Sequence, residues 1–265
     1  MAINKKIQML GILSLVMLPL TIFAFEEDFY EECEDDLDSR VELGGTYARV
    51  NMKPHGSSSF DGNLGGIRAL YEYRPVDSIY AAVKFSWQEG TMHGSAGKRS
   101  LLYFDVQERI GLTYGEEEEW FSTIFTGFGY KHLGQKLDPT TGSSIKFNYN
   151  EIYIPVGFLT NFDFACWFSV GATFIWMPQV YPVVSIVPLK GAYWNLEKTL
   201  NNFYVDVPFT FTLTDDKEFQ IILNPFYERW EDGHSTAKLS SGIPLGLPGN
   251  TYNFYGVDLT FAYLF

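Results

Sequence analysis

Beyond its first 24 residues, the sequence has no apolar run that could cross a membrane as a helix. The most apolar later stretch, residues 174–189, is interrupted by Pro178, Pro182 and Pro188, each of which removes a helix hydrogen bond. Cysteine is scarce. Cys33 and Cys166 are the two in 265 residues, too few for a disulfide framework, and their sequence surroundings give no reason to expect them to meet. Positive charge is scarce too: 19 Lys and Arg stand against 32 Asp and Glu, for a net charge of −13. No basic stripe is present, which removes the case for a nucleic-acid partner. No spacing of His, Asp or Cys fits a metal centre, and no glycine-rich element follows a strand and opens a helix, so no metal or cofactor is expected.

The N-terminus reads as a signal peptide over residues 1–24: Lys5 and Lys6, an apolar stretch at 9–23, then Ala24. About fifteen apolar residues fall short of the ~20 that a spanning helix needs. Residues 25–39 carry nine carboxylates and no base, and are expected to form a disordered acidic tail.

Aromatic residues are abundant: 23 Phe, 17 Tyr and 6 Trp. With a mean hydropathy of −0.06, this composition fits a membrane β-barrel, in which half of each strand faces a polar interior and aromatics ring both interfaces. From residue 40 onward the chain alternates apolar and polar residues with period two. Ten strands are predicted, at 41–53, 64–73, 79–88, 101–114, 120–132, 147–159, 164–177, 203–213, 218–230 and 251–265. Eight or twelve remain possible, because the fifth and ninth are weakly patterned. Short turns at 75–78, 115–119, 160–163 and 214–217 alternate with long connections at 54–63, 89–99, 133–146, 178–202 and 231–250. Glu108 interrupts the outward apolar face of strand four, by a bulge or a local inversion of facing. Pro155 and Pro208 face inward and are expected at bends near the rim. The apolar 178–202 connection is expected to be a hairpin extending past the membrane; the alternative is a loop folding inward or docking on a partner.

The final strand places Val257, Leu259, Phe261, Tyr263 and Phe265 on one face and ends on an aromatic residue. Coming after a secretion signal, this resembles the last strand of the small Gram-negative outer-membrane β-barrel proteins. That resemblance covers residues 40–265. It implies an all-β, ten-stranded antiparallel transmembrane barrel in the outer membrane, with both termini periplasmic. The terminal strand would be read by the barrel-assembly machinery, and lipid and lipopolysaccharide would be the surrounding partners.

Alternation assigns a group of charged residues to the interior: Arg68, Glu72, Lys84, Asp105, Arg109, Glu151, Asp206, Glu228 and Asp258, with Tyr80, Tyr103, Tyr153 and Tyr204 among them. Charge inside a narrow barrel is costly unless paired. Arg68, Lys84 and Arg109 are therefore each expected within ion-pair reach of an inward acid, in a lumen filled by side chains. That makes a structural or surface-contact barrel the expected function, with a narrow, porin-like channel for ions or small polar solutes as the alternative. Enzymatic readings are weaker. The histidines, His55, His93, His132 and His234, all fall in or beside predicted outer loops. Asp232 and His234 match the Asp-x-His of omptin proteases, but the second aspartate pair of that family has no counterpart beyond the isolated Asp61, Glu89 and Asp138. A lipid-modifying site would draw on Ser143, Ser144 or Ser235, none suitably placed. Nothing in the sequence specifies an oligomeric state.

Overall fold

The structure, a computed structural model, describes residues 37–95, 97–116, 119–137, 145–187, 189, 193–214, 216–238 and 246–265. The signal peptide, residues 25–36 of the acidic tail, Asp138, Ser143 and Ser144 lie outside them.

Among the described residues the strands are β1 (Ser39–Pro54), β2 (Phe60–Tyr73), β3 (Ile79–Gly94), β4 (Gly97–Glu116), β5 (Trp120–Leu137), β6 (Ile145–Tyr153), β7 (Val156–Ala165), β8 (Phe168–Trp176), β9 (Gln179–Val187), β10 (Tyr193–Leu196), β11 (Phe203–Asp206), β12 (Phe209–Thr212), β13 (Phe219–Asp232), β14 (Ser235–Lys238) and β15 (Asn250–Leu264). They combine into ten wall-length strands, because β6 continues into β7, β8 into β9, β10 through β11 into β12, and β13 into β14. All pairings are antiparallel. The circuit runs β1–β2–β3–β4–β5–β7–β8–β11/β12–β13–β15 and closes where β15 pairs β1 from Arg40↔Leu264 to Pro54↔Asn250. Closure leaves the circuit without a free edge, as a sheet surrounded by hydrocarbon requires.

Prolines divide the longer strands. Pro155 separates β6 from β7, Pro178 separates β8 from β9, and Pro208 separates β11 from β12; none has an N–H to give the ladder. Pro155 does not lie near a rim as expected. It sits in mid-wall, where β5 changes partner from β7 (Trp120–Thr126) to β6 (Gly129–Leu137). Gly129 is required at that crossing, because a Cβ there would run into the ring of Tyr153.

Several predicted connections are corrected. Residues 160–163 belong to β7, and the turn lies at Cys166 and Trp167. Cys166 is therefore off the strand, while Cys33, and with it the expectation that the two do not meet, lies outside the described residues. Residues 89–99 are not a long loop: β3 and β4 pair as far as Gly94↔Gly97. His93 is consequently on β3, and His132 on β5. The 178–202 segment contains β9 and β10, paired with each other and flanked by β6 and β14, so the two strands continue as a hairpin. In the short turn before β13, the Thr214 hydroxyl and the Glu218 N–H hold the Asp216 carboxyl below the usual carboxylate range.

The outer surface is apolar and aromatic: Leu43 is 61% and Phe261 62% exposed. Rings form a row across five strands, Phe158–Phe174–Phe203–Tyr227–Tyr255, with centroid steps of 6.1, 6.3, 5.6 and 4.9 Å. Phe85, Phe104 and Tyr130 form a similar row on β3, β4 and β5. Toward the short turns, a second group comprises Phe164, Trp167, Phe168 and Phe211, together with Phe219, Tyr263 and Phe265. Aromatic belts of this kind border the apolar band of membrane barrels. Glu108 interrupts the band without a bulge or inversion. The register runs unbroken through Val83↔Glu108↔Phe128, which leaves the carboxyl exposed on the outer wall.

Candidate functional site

The nine charged residues assigned inward by alternation are all buried, each at 8% exposure or less. They fall into four groups along the lumen.

Nearest the short turns, Arg40 reaches Glu42 at 2.9 Å and Glu72 at 2.7 Å, and Arg74 reaches Glu72 at 3.3 Å. Next, Arg68 pairs with Asp258 and lies 3.9 Å from Glu42, while Asn224 Nδ2 donates to Asp206 at 3.0 Å. Lys84 belongs to this level but makes no ion pair among the described residues. Its ammonium lies 4.0 Å over the Tyr204 ring. Arg109 behaves similarly, bonding Gln107 and lying 4.9 Å from the centre of the Phe125 ring. The expectation of an acid partner is thus met for Arg68 and corrected for Lys84 and Arg109. An aromatic face attracts a cation without requiring a second buried charge.

The third group surrounds Lys131. Its ammonium pairs with Glu228, lies 3.9 Å from Asp105 and stands 3.9 Å over the Trp230 ring. Tyr103 donates to Glu228 at 2.9 Å and Tyr153 to Asp105 at 2.9 Å. Trp230 and Tyr153 meet edge to face at 5.4 Å, as do Tyr103 and Phe254. In the circuit, β4 and β13 stand on opposite sides, so the Tyr103–Glu228 hydrogen bond crosses the barrel. Gln135 on β5 likewise bonds Tyr252 on β15.

The fourth group lies toward the long connections. Glu151, fully buried, accepts from Gln179 Nε2 at 3.0 Å and from the Trp230 indole. Asp232, also fully buried, accepts from Asn250 at 3.2 Å and Tyr252 at 3.0 Å. His234 is exposed, and its partners are different: His55 at 3.5 Å and the Gly249 N–H at 3.3 Å. Among the described residues, Asp232 and His234 are therefore committed to separate networks. Asp61 lies on β2, bonded to Asn51, and Glu89 on β3. Ser235 accepts the Leu247 N–H. Among the described residues no group of three or more His, Cys, Asp and Glu is arranged to hold a metal.

Sequence reasoning missed Arg40, Glu42, Arg74, Lys131 and Asp232 as interior charges. Lys131 is the costliest omission. The signal was available: it lies two residues after Gly129 on the inward parity of β5, opposite Glu151 in register.

No protein-family model matches this sequence, and no curated protein matches it. Among solved structures, the chain is similar to the outer membrane protease OmpT from Escherichia coli, with a TM-score of 0.56 and 13% identity over 86% of this chain and 96% of that one. It is also similar to the translocator domain of the autotransporter NalP from Neisseria meningitidis, with a TM-score of 0.49 and 9% identity over 99% and 98% of the two chains. The outer membrane protein OprG from Pseudomonas aeruginosa aligns at a TM-score of 0.39 and 9% identity, over 89% and 99%. The likeness to OmpT, together with the closed circuit, gives the class: the fold is that of an outer-membrane β-barrel.

Proposed function

We propose that this protein is an integral outer-membrane barrel whose lumen is closed by its own side chains and which serves a structural or surface-contact role. One observation carries the reading. Tyr103 on one wall bonds Glu228 on the opposite wall, and Lys131 and Trp230 fill the same level. A polar contact between opposite walls leaves no room for an aqueous path at that height. In this reading the short turns and both termini are periplasmic, the signal peptide is removed near Ala24, and the long hairpins contact lipopolysaccharide or another surface. The strand carrying Val257, Leu259, Phe261, Tyr263 and Phe265 is the element the barrel-assembly machinery recognises. Planar-bilayer recording tests the closed lumen: the purified protein is expected to give no steady current.

A narrow channel is the second reading. It is favoured by polar atoms with no hydrogen-bond partner among the described residues between the short turns and the Lys131 level, including Tyr80 Oη, Tyr204 Oη, Arg68 Nε and Asp206 Oδ1. Buried water is the usual partner of such atoms. Steady, ion-selective currents from the wild type would favour this reading over the closed one.

A further inference from the structure

We propose that the wall formed by β3, β4 and β5 is an interface between two copies of this chain within the membrane, joined through Glu108 and Thr126. The inference rests on the reading of the chain as a membrane barrel. Outward positions on β4 run Tyr114, Leu112, Ile110, Glu108, Val106 and Phe104, which sets Glu108 well inside the apolar band, between an aromatic toward each end. Its neighbours on the adjoining strands, Val83 and Phe128, are 45% and 49% exposed. Among the described residues, Glu108 is the one charged side chain on the outer wall between the aromatic rows.

Thr126 lies on β5 opposite Ile110, diagonal to Glu108 on the same outer face, and is also exposed. Among the described residues, neither Glu108 nor Thr126 has a side-chain partner within its own chain. Two outward hydroxyls nearer the short turns are satisfied: Ser122 on β5 donates to Thr160 on β7 at 2.9 Å, and Thr160 donates to the Phe121 carbonyl at 3.0 Å. Hydrocarbon offers a carboxyl group neither hydrogen bonds nor the solvation of water, so an uncovered carboxyl here is costly. A second copy supplies what is missing. In a two-fold interface, residue i meets residue j and j meets i. Glu108 of each copy then accepts a hydrogen bond from Thr126 of the other, and Val83, Val106, Ile110 and Phe128 pack around the two contacts.

The test is energy transfer between donor-labelled and acceptor-labelled protein in phosphatidylcholine liposomes as the protein-to-lipid ratio is lowered. The wild type is expected to keep its transfer on dilution. Glu108→Leu and Thr126→Val are expected to lose it, and Glu108→Gln, which can still hydrogen-bond, to retain it. Glu108→Leu makes the lipid-facing wall wholly apolar at that point, and heat-modifiable gel migration verifies that it folds. Absence of transfer in the wild type overturns the proposal, including the case where a different protein covers this wall in the cell. Equal transfer in wild type and Glu108→Leu overturns it as well. A chain that does not insert into liposomes as a folded barrel would instead defeat the membrane reading on which the inference stands.

Discussion

Lys131 on β5 and Glu228 on β13 form the central ion pair of the lumen, reaching across the interior rather than between neighbouring strands. Both are buried, Lys131 at 1% exposure. A contact of this kind ties two distant parts of the wall and depends on closure of the whole circuit.

Lys131→Met is expected to be strongly destabilising. It leaves Glu228 and Asp105 facing each other in the interior with their shared cation gone, and breaking a buried pair from one side costs roughly 3–5 kcal/mol. Arg229→Ala is the control, since the Arg229–Glu231 pair is partly exposed and such pairs contribute about 0–1 kcal/mol. Urea unfolding in detergent micelles measures both. Equal losses would show that the Lys131 group is solvated like the surface pair.

Lys84→Met is expected to be mild, in contrast to Lys131→Met. Lys84 lies over the Tyr204 ring and leaves no acid stranded when removed, so the loss is on the order of a cation–π contact, about 0.5–2 kcal/mol. A loss as large as that for Lys131→Met in the same urea titration would mean that Lys84 has a carboxylate partner after all.

Gly129→Val is expected to impair folding. Any Cβ at this position meets the Tyr153 ring, and Tyr153 cannot move without giving up its bonds to Asp105 and Gln107. Overpacking of this kind costs typically 1–3 kcal/mol. The double variant Gly129→Val with Tyr153→Phe keeps the clash and should not recover, whereas Gly129→Val with Tyr153→Ala should recover in part. Heat-modifiable migration on gels reads the folded fraction.

Phe265→Asp is expected to lower assembly in cells. Phe265 ends the outer face on which Leu259, Phe261 and Tyr263 are exposed, and it stacks on Tyr263 at 5.9 Å. Normal membrane insertion of the variant, judged by the same gel assay on membrane fractions, would remove the assembly role from the terminal strand.

Much of the fold was legible because a barrel strand has one rule, the alternation of inward and outward side chains. That rule alone assigns Arg68, Glu72, Asp105, Glu151 and Asp258 to the inward face of β2, β4, β6 and β15, where each is buried. With the alternation of short and long connections it points to ten wall strands, with eight or twelve left open, and the circuit has ten. Partners across the lumen were not legible, since they depend on which strands closure sets opposite each other. Lys131 was lost because Gly127 and Gly129 blur the alternation of β5 just before it. Lys84 and Arg109 are expected on acids because charge pairing alone leaves out the aromatic rings; Tyr204 comes close to Lys84 only once the barrel closes, whereas Phe125 lies diagonal to Arg109 on the neighbouring strand. The long hairpins were shortened in the reading because strands that rise past the apolar band lose their greasy outer face. Polar outward residues such as Asn63, Thr91 and His93 then look like loop.

The closed lumen is the central claim, and single-channel recording of the purified barrel in a planar bilayer tests it most directly. The account predicts silence from the wild type and steady currents once the cross-lumen level is emptied in a Tyr103→Ala, Lys131→Ala, Trp230→Ala triple variant that still migrates as a folded barrel. Steady currents from the wild type, unchanged in the triple variant, would contradict it.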